Sequence, residues 1–406
     1  MRRSSGNGMR RASSNGGRNN SSIKPNNQKR RGQKKSDLDP ALLIRKAKPR
    51  TEQTYRSDRP IEDLPVREVL KQKLLQKGFE RPTEIQERTL EHLLDGRNLL
   101  GIAKTGTGKT GAFLIPIIEQ LLLQGQHKPK QYALVVVPTR ELALPVEPES
   151  KSMAGKLKLY SSCFIGGTNI NRNIQDLRRP SHIVIGTPGR LLDLNKRGVL
   201  KLNAFRTLVL DEFDRMLDMG FLRDMRQIID ALHNRSQTML FSATYDKAQK
   251  PIIEDILDNP VRVKVSQGDE SADHIEQDII RIKNGEDPFR VLSRLLQEDD
   301  FKKVLVFDET KHRVKRLCQK LNKAGFKSDQ IHGNKSQAAR VRALKAFKDG
   351  SINILVATDV AARGIDIDDI SHVINYQVPK TFDSYIHRIG RTGRAGKAGV
   401  ALTFVA

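Results

Sequence analysis

Residues 98–110 read Asn-Leu-Leu-Gly-Ile-Ala-Lys-Thr-Gly-Thr-Gly-Lys-Thr. A short apolar run ends in a glycine-rich turn, and residues 111–123 behind it have the apolar spacing of a helix. Strand, loop and helix in that order are the setting of a phosphate-binding loop. Glycines free the backbone so that its N–H groups can wrap phosphates at a helix N-terminus. Ala103, Lys104, Thr105, Gly106, Thr107 and Gly108 would then form the cradle. Lys109 would reach the β- and γ-phosphates, and the Thr110 hydroxyl would ligate Mg²⁺. Ala103 stands where the general pattern has glycine, so this loop alone also fits a glycine-rich turn of another α/β domain.

Outward from this loop, apolar runs at 132–137, 182–185, 207–210 and 238–241 each end in a polar, Gly or Pro turn, with helix-like segments between. Strands without alternation are buried on both faces, which implies a parallel sheet covered by helices. The run 207–210 leads into Asp211 and Glu212. Strand C-termini of an open α/β sheet point at the ligand crevice, so these carboxylates should arrive beside the phosphates. Asp211 suits Mg²⁺ coordination, and Glu212 is placed to orient or deprotonate an attacking water. An acidic pair after a strand is commonly a solvated turn; a phosphate loop 102 residues upstream removes that reading.

The pattern pauses at 265–274 (VSQGDESADH) and resumes at 303–307, 353–356, 372–375 and 401–405. The fold class is therefore α/β, two tandem domains with parallel sheets. Expected boundaries are a tail at 1–58, a first domain at 59–266, a linker at 267–276 and a second domain at 277–406. In the second domain, residues 387–394 (HRIGRTGR) place three arginines at spacings of three. Such a run is usually a solvated basic face. It also suits arginine fingers that stabilise charge on a transferring phosphoryl group, and from a separate domain they act only after closure.

The 406 residues hold 72 Lys and Arg against 47 Asp and Glu, a net charge of +25. Residues 1–60 carry 17 basic and 4 acidic side chains, so +13 lies there. That surplus favours a polyanion, nucleic acid or an anionic membrane face. Cys163 and Cys318 are too few and too far apart for a disulfide framework or a zinc cluster, consistent with a reducing compartment. No apolar run approaches the ~20 residues of a membrane span. Residues 1–35 have eleven basic side chains, no acid and little to bury, and read as disordered. A phosphate-docking arm, a transit peptide and a solubilising tail all fit that composition, the arm best.

With these pieces in place, residues 61–406 resemble the DEAD-box ATP-dependent RNA helicases of superfamily 2. Residues 78–86 (GFERPTEIQ) are similar to the family's Q motif, 103–110 to motif I, and 138–143 (PTRELA) to motif Ia. Gly166 and Gly167 match the GG element, 187–190 (TPGR) motif Ib, 211–214 (DEFD) motif II, and 242–244 (SAT) motif III. Residues 304–310, 337–340, 357–366 and 387–394 match motif IV, the QxxR element, motif V and motif VI. The resemblance implies two RecA-like domains that close on ATP, Mg²⁺ and single-stranded RNA. It implies adenine recognition by Phe79, Arg81, Thr83 and Gln86, and contacts to ATP from Gly364 and Asp366. Lys109, Asp211, Glu212, Arg391 and Arg394 would be catalytic, with Ser242, Thr244, Asp214 and His387 coupling the ATP site to the interdomain surface. Thr139, Arg140, Gly167, Thr187, Arg190, Thr310, Gln337, Arg340 and Thr358 would line an RNA backbone track carrying little sequence information.

Four departures from the family pattern stand out. Phe213 occupies the usual alanine position of motif II, so a larger ring must be packed. Ile61 stands where members carry an isolated aromatic, which implies looser adenine packing. Pro145 and Pro148 follow motif Ia, and a mid-helix proline costs ~3 kcal/mol, so that helix is expected to be kinked or short. The sequence stops at Ala406, just after the last expected strand, so any C-terminal RNA-targeting extension is absent from this sequence. The expected activity is RNA-stimulated ATP hydrolysis driving local unwinding or remodelling by a cytoplasmic monomer. An ATP-gated RNA clamp and a DNA translocase are the alternatives, because a 2′-hydroxyl contact is not visible in sequence.

Overall fold

The computed structural model describes residues 38–47, 55–104, 106–125, 129, 131–155, 157–265, 274–362, 367, 369–393 and 399–405. The apolar runs of the first half become strands β1 (Leu99–Ile102), β2 (Ala133–Val136), β3 (Ser161–Phe164), β4 (Ile183–Gly186), β5 (Thr207–Leu210), β6 (Gln237–Ser242) and β7 (Val261–Lys264). They form one parallel sheet in the order β3-β4-β2-β5-β6-β1-β7. The second half contributes β8 (Ile275–Arg281), β9 (Val304–Phe307), β10 (Ser328–Ile331), β11 (Ile354–Ala357), β12 (His372–Asn375) and β13 (Gly399–Val405). These make a second parallel sheet, β10-β11-β9-β12-β13-β8.

Each sheet separates two apolar layers, which is why its strands show no polar alternation. Val135 and Val209 join the layer on one face of the first sheet, while Leu134 and Leu208 join the layer on the other. Val304 and Val306 divide from Leu305 and Phe307 in the same way across the second sheet.

Three expectations change. Strand β8 begins inside the expected linker: Ile275 is fully buried and pairs with Gly399, so the sheet claims the chain two residues early. The expected 1–58 tail is not uniform either, because Pro40–Leu43 forms a short 3₁₀ turn capped by the Asp39 carboxylate, and Leu43 is buried. Residues 1–37, 48–54 and 266–273 lie outside the described residues. Thirdly, the helix after β2 is not short, running without a break through Arg140–Ala154 despite Pro145 and Pro148. Both prolines are exposed, as is Leu144, whose carbonyl Pro148 leaves unbonded, so water can satisfy it. The opposite face anchors the helix through buried Ala143, Val146 and Met153.

Candidate nucleotide site and nucleic-acid interface

The functional side chains gather at the C-terminal ends of the strands, where an open parallel sheet presents its ligand crevice. After β1 the chain turns through Gly106 and Gly108, both at positive φ (+86° and +92°), into the helix Lys109–Leu123. Gly108 is needed twice over: a Cβ there would also sit 2.6 Å from the Thr83 hydroxyl. After β5 comes Asp211, and then Glu212 in the left-handed region (φ 57°, ψ 50°) at the start of the helix Phe213–Asp218. A non-glycine residue held there is strained, and such strain persists where a site over-determines the backbone. The Glu212 N–H donates to Asp211 Oδ1 at 3.0 Å, which fixes the two carboxylates relative to each other.

Glu212 is almost wholly buried between two cations: Lys109 Nζ lies 2.6 Å from Oε1 and Arg215 Nε lies 3.0 Å from Oε2. Burial alone would raise its pKa, but Lys109 and Arg215 outweigh burial and hold the carboxyl at about 2. Asp211 goes the other way. Lys109 Nζ is 3.8 Å away, and burial pushes the Asp211 carboxyl up to about 6. One carboxylate is thus fully compensated and its neighbour is short of positive charge.

The expected adenine residues form a cavity of about 560 Å³ beside the phosphate loop, lined by Phe79, Arg81, Thr83 and Thr107. Gln86 sits behind it as a link: Thr83 N–H donates to its Oε1 and its Nε2 donates to Gly108 O, each at 3.0 Å. Ile61 plays no part in the cavity; it is fully buried in the core of the first sheet. The second aromatic is Tyr55, which lines the same cavity and donates its hydroxyl to the Glu87 carboxylate. Ile61 is thus not a wall of this cavity, and Tyr55, six residues upstream, places a ring in it. We expect Tyr55→Ala to raise the KM for ATP by about 5-fold, as loss of an aromatic stacking partner worth ~1 kcal/mol implies, while kcat at saturating ATP holds. Equal KM values would remove Tyr55 from the site.

Motif III and motif II meet directly. Ser242 donates to Thr244 O at 2.7 Å, and Thr244 Oγ1 donates to Asp214 Oδ2 at 3.3 Å. The second sheet supplies Arg391, whose positive charge acts on Glu212 and helps hold its carboxyl down. Arg388, from the same run, turns inward instead: Nε and Nη2 donate to the Asp359 carboxylate at 2.5 and 2.8 Å, and Nη1 donates to Asn375 Oδ1 and Gln377 O. His387 lines a small cleft with Phe307, Asp359 and Arg391. Thr105, Gly364, Asp366 and Arg394 fall outside the described residues.

The expected RNA-track residues of the first sheet are brought together. Arg140 lies across the Gly166-Gly167 backbone, so closely that a Cβ on Gly167 would sit 2.6 Å from its Nη2. Arg190 donates to Thr168 O at 2.9 Å and to the Asn173 side chain. Thr139 and Thr187 open the helices Arg140–Ala154 and Pro188–Lys196. The Thr139 hydroxyl is buried without a hydrogen-bond partner. On the second sheet, Thr310 caps the helix Lys311–Lys323 and half-buried Thr358 follows β11. Gln337 opens the helix Gln337–Lys348 three positions before Arg340. Arg340 Nη2 crosses to Glu141 of motif Ia at 2.9 Å, an ion pair buried between the two sheets.

The sequence of residues 83–252 matches the profile of the DEAD/DEAH box helicases, and residues 287–396 match the helicase conserved C-terminal domain. The chain belongs to the DEAD/DEAH box helicase family. Among curated members it is 41% identical over 343 residues to the DEAD-box ATP-dependent RNA helicase CshA of Bacillus cereus, covering 84% of this chain and 65% of that protein. CshA of Geobacillus kaustophilus is 42% identical over 328 residues, covering 81% and 69%. The chain thus spans just under two thirds of the Bacillus cereus relative. Among solved family structures, Saccharomyces cerevisiae Dbp5 bound to RNA and ADP BeF3 gives a TM-score of 0.74 at 31% identity, over 85% of this chain and 89% of that one. Mss116p bound to ssRNA and AMP-PNP gives 0.75 at 29%, over 89% and 77%.

Sequence reading misses four participants: Tyr55, Arg215, Glu141 and the structural role of Arg388. Arg215 has a local signal, lying three residues after Glu212 on one helix face. Tyr55 and Glu141 have none, because their partners are 32 and 199 residues away.

Proposed function

We propose that this protein is an RNA-dependent ATPase that opens short RNA duplexes or remodels RNA–protein complexes. The observation that carries the reading is the division of the charged groups: Lys109, Asp211 and Glu212 follow strands of the first sheet, while Arg391, whose charge acts on Glu212, comes from the second, so hydrolysis requires the two to close. Support comes from the likeness to relatives solved with nucleotide and RNA, at TM-scores of 0.74 and 0.75.

In this reading Phe79 and Tyr55 hold adenine, and the backbone of the loop before Lys109 takes the phosphates. The γ-phosphate draws the Lys109 ammonium from Glu212, which frees that carboxylate to orient and deprotonate the attacking water. Arg391, with Arg394, offsets charge on the transferring phosphoryl group. Asp211, short of positive charge, and the Thr110 hydroxyl are hard oxygen donors and would hold Mg²⁺, which would supply positive charge against the negative charge developing on the phosphates. Ser242, Thr244 and Asp214 transmit the state of Glu212 to the interdomain surface, and His387 does so from the second sheet. RNA lies along Thr139, Arg140, Gly167, Thr187 and Arg190, then Thr310, Gln337, Arg340 and Thr358. Arg340 exchanges Glu141 for phosphate as the strand seats. We assign the domains to 59–266 and 275–406, the second opening with β8 at Ile275. A cytoplasmic monomer suits two free thiols and a site whose two halves come from one chain.

The deciding experiment is steady-state ATPase without nucleic acid, with single-stranded RNA and with matched DNA. Stimulation by RNA alone supports the reading. Stimulation by DNA makes the chain a translocase, and ATP-dependent RNA binding without stimulation makes it a clamp. A second test concerns the basic tail. Deleting residues 1–35 should leave basal ATPase unchanged and flatten the salt dependence of RNA binding, by ~0.7 in log–log slope for each phosphate the arm had neutralised. An unchanged slope discards the phosphate-docking arm.

A further inference from the structure

Residues 39–45 precede the first domain in the chain yet lie on the second sheet. Arg45 pairs antiparallel with Gln277, exchanging both backbone hydrogen bonds: Arg45 N–H to Gln277 O at 2.9 Å and Gln277 N–H to Arg45 O at 2.8 Å. Gln277 belongs to β8, the edge strand of that sheet, and an edge left bare exposes a row of unpaired backbone groups. Leu43 is fully buried in an apolar cluster of its own with Ile275, Tyr385, Ile389 and Ala401. The Tyr385 hydroxyl, also buried, donates to Gln277 Oε1 at 3.1 Å and lies 3.4 Å from Leu43 O. The segment is therefore held by backbone, by side-chain packing and by a buried hydroxyl together.

Tyr385 and Ile389 lie one turn apart on the helix Phe382–Ile389, facing Leu43. His387 and Arg388 of that helix, and Arg391 just beyond it, line the cleft on its other side. Leu43 is thus wedged behind the element that carries the arginine finger. We infer that residues 39–45 form a clasp that sets the depth of this helix against the second sheet, and that Leu43 is a positioning residue for Arg391. The inference rests on the proposed function for its catalytic consequence, but not for the clasp itself.

The test uses the full chain with Leu43→Asp and, as the conservative partner, Leu43→Ile. Hydrogen exchange is followed in the peptides covering Ile275–Arg281 and Phe382–Ile389, and RNA-stimulated ATPase is measured on the same samples. With Leu43→Asp, exchange in both peptides should quicken by about 10-fold or more as the edge strand opens. The kcat at saturating RNA should fall by about 10-fold, since small misplacements of a catalytic group are costly. KM for ATP should hold, because the adenine cavity belongs to the other sheet. Leu43→Ile should restore both readings. Unchanged exchange would show that the segment is not seated there and would overturn the clasp. Faster exchange with kcat intact would reduce it to a cover for the edge and overturn the positioning role. If the wild type shows no RNA-stimulated ATPase, the helicase reading fails instead, and the exchange comparison still decides the clasp.

Discussion

Replacing Glu212 with Gln should lower RNA-stimulated ATPase by about 10²–10⁴-fold, the usual loss for a positioned general base, while tightening ATP binding. The first effect follows from chemistry, since a carboxamide cannot accept the water's proton. The second follows from geometry. Lys109 Nζ sits 2.6 Å from Glu212 Oε1, so the γ-phosphate must compete with a buried carboxylate for the ammonium. Gln keeps the shape and removes the competitor. It also leaves Lys109 and Arg215 under-compensated in a buried place, which is strongly destabilising. The variant should accordingly unfold more easily without nucleotide and gain more stability from ATP than the wild type. Titration of a fluorescent ATP analogue and thermal unfolding with and without ATP check both parts. Weaker ATP binding by the variant would show that the Lys109–Glu212 contact does not compete with phosphate.

The second large effect concerns stability. Phe213→Ala restores the residue that the family usually carries in motif II, yet it should destabilise this protein by about 3–5 kcal/mol, the range for emptying a buried aromatic site. Phe213 is fully buried in the apolar layer that contains Leu210, Met216 and Leu240. Alanine would leave a hole beneath the carboxylates, and that layer has been filled to suit a ring. Unfolding of two sheets need not be one transition, so the appropriate readout is native-state hydrogen exchange in β5 and β6. Protection there should fall by about 10²- to 4 × 10³-fold, at 1.4 kcal/mol per factor of ten. Undiminished protection would mean the layer collapses around the smaller residue. Asp211, Glu212 and Asp214 are untouched, so the folded fraction should still hydrolyse ATP.

What can be read from sequence is what is local. Residues 98–110 announce strand, turn and helix within one window, and the two-layer burial of Val135 and Leu134 shows as an unbroken apolar run. The carboxylates can be placed because a strand end has a known direction. The Arg140–Ala154 helix is misjudged from sequence because proline's cost is local, whereas its tolerance depends on which face meets water. Arg388 and Arg391 share one run and one spacing; only the fold decides that the first turns to Asp359 while the second donates to the His387 carbonyl. Gln86 can be found by its motif, but not its position bridging Thr83 and Gly108, since Gly108 arrives from another segment. Leu43 is invisible for the same reason, its cluster being assembled from residues more than 200 positions away.

Arg388 has a mechanical consequence. Its guanidinium bolts the end of the helix Phe382–Ile389 to Asp359, Asn375 and Gln377 and lies 5.1 Å above the Phe307 ring. The point where Arg391 emerges is therefore stiff with respect to β9 and β12. In the proposed mechanism, a push on the backbone that carries Arg391 would therefore pass to the second sheet as a whole, turning it as a lever. Thr310, Arg340 and Thr358 would ride on that lever, and a strand held by them as proposed would be displaced by a distance set by the arm of the domain rather than by the softness of a loop.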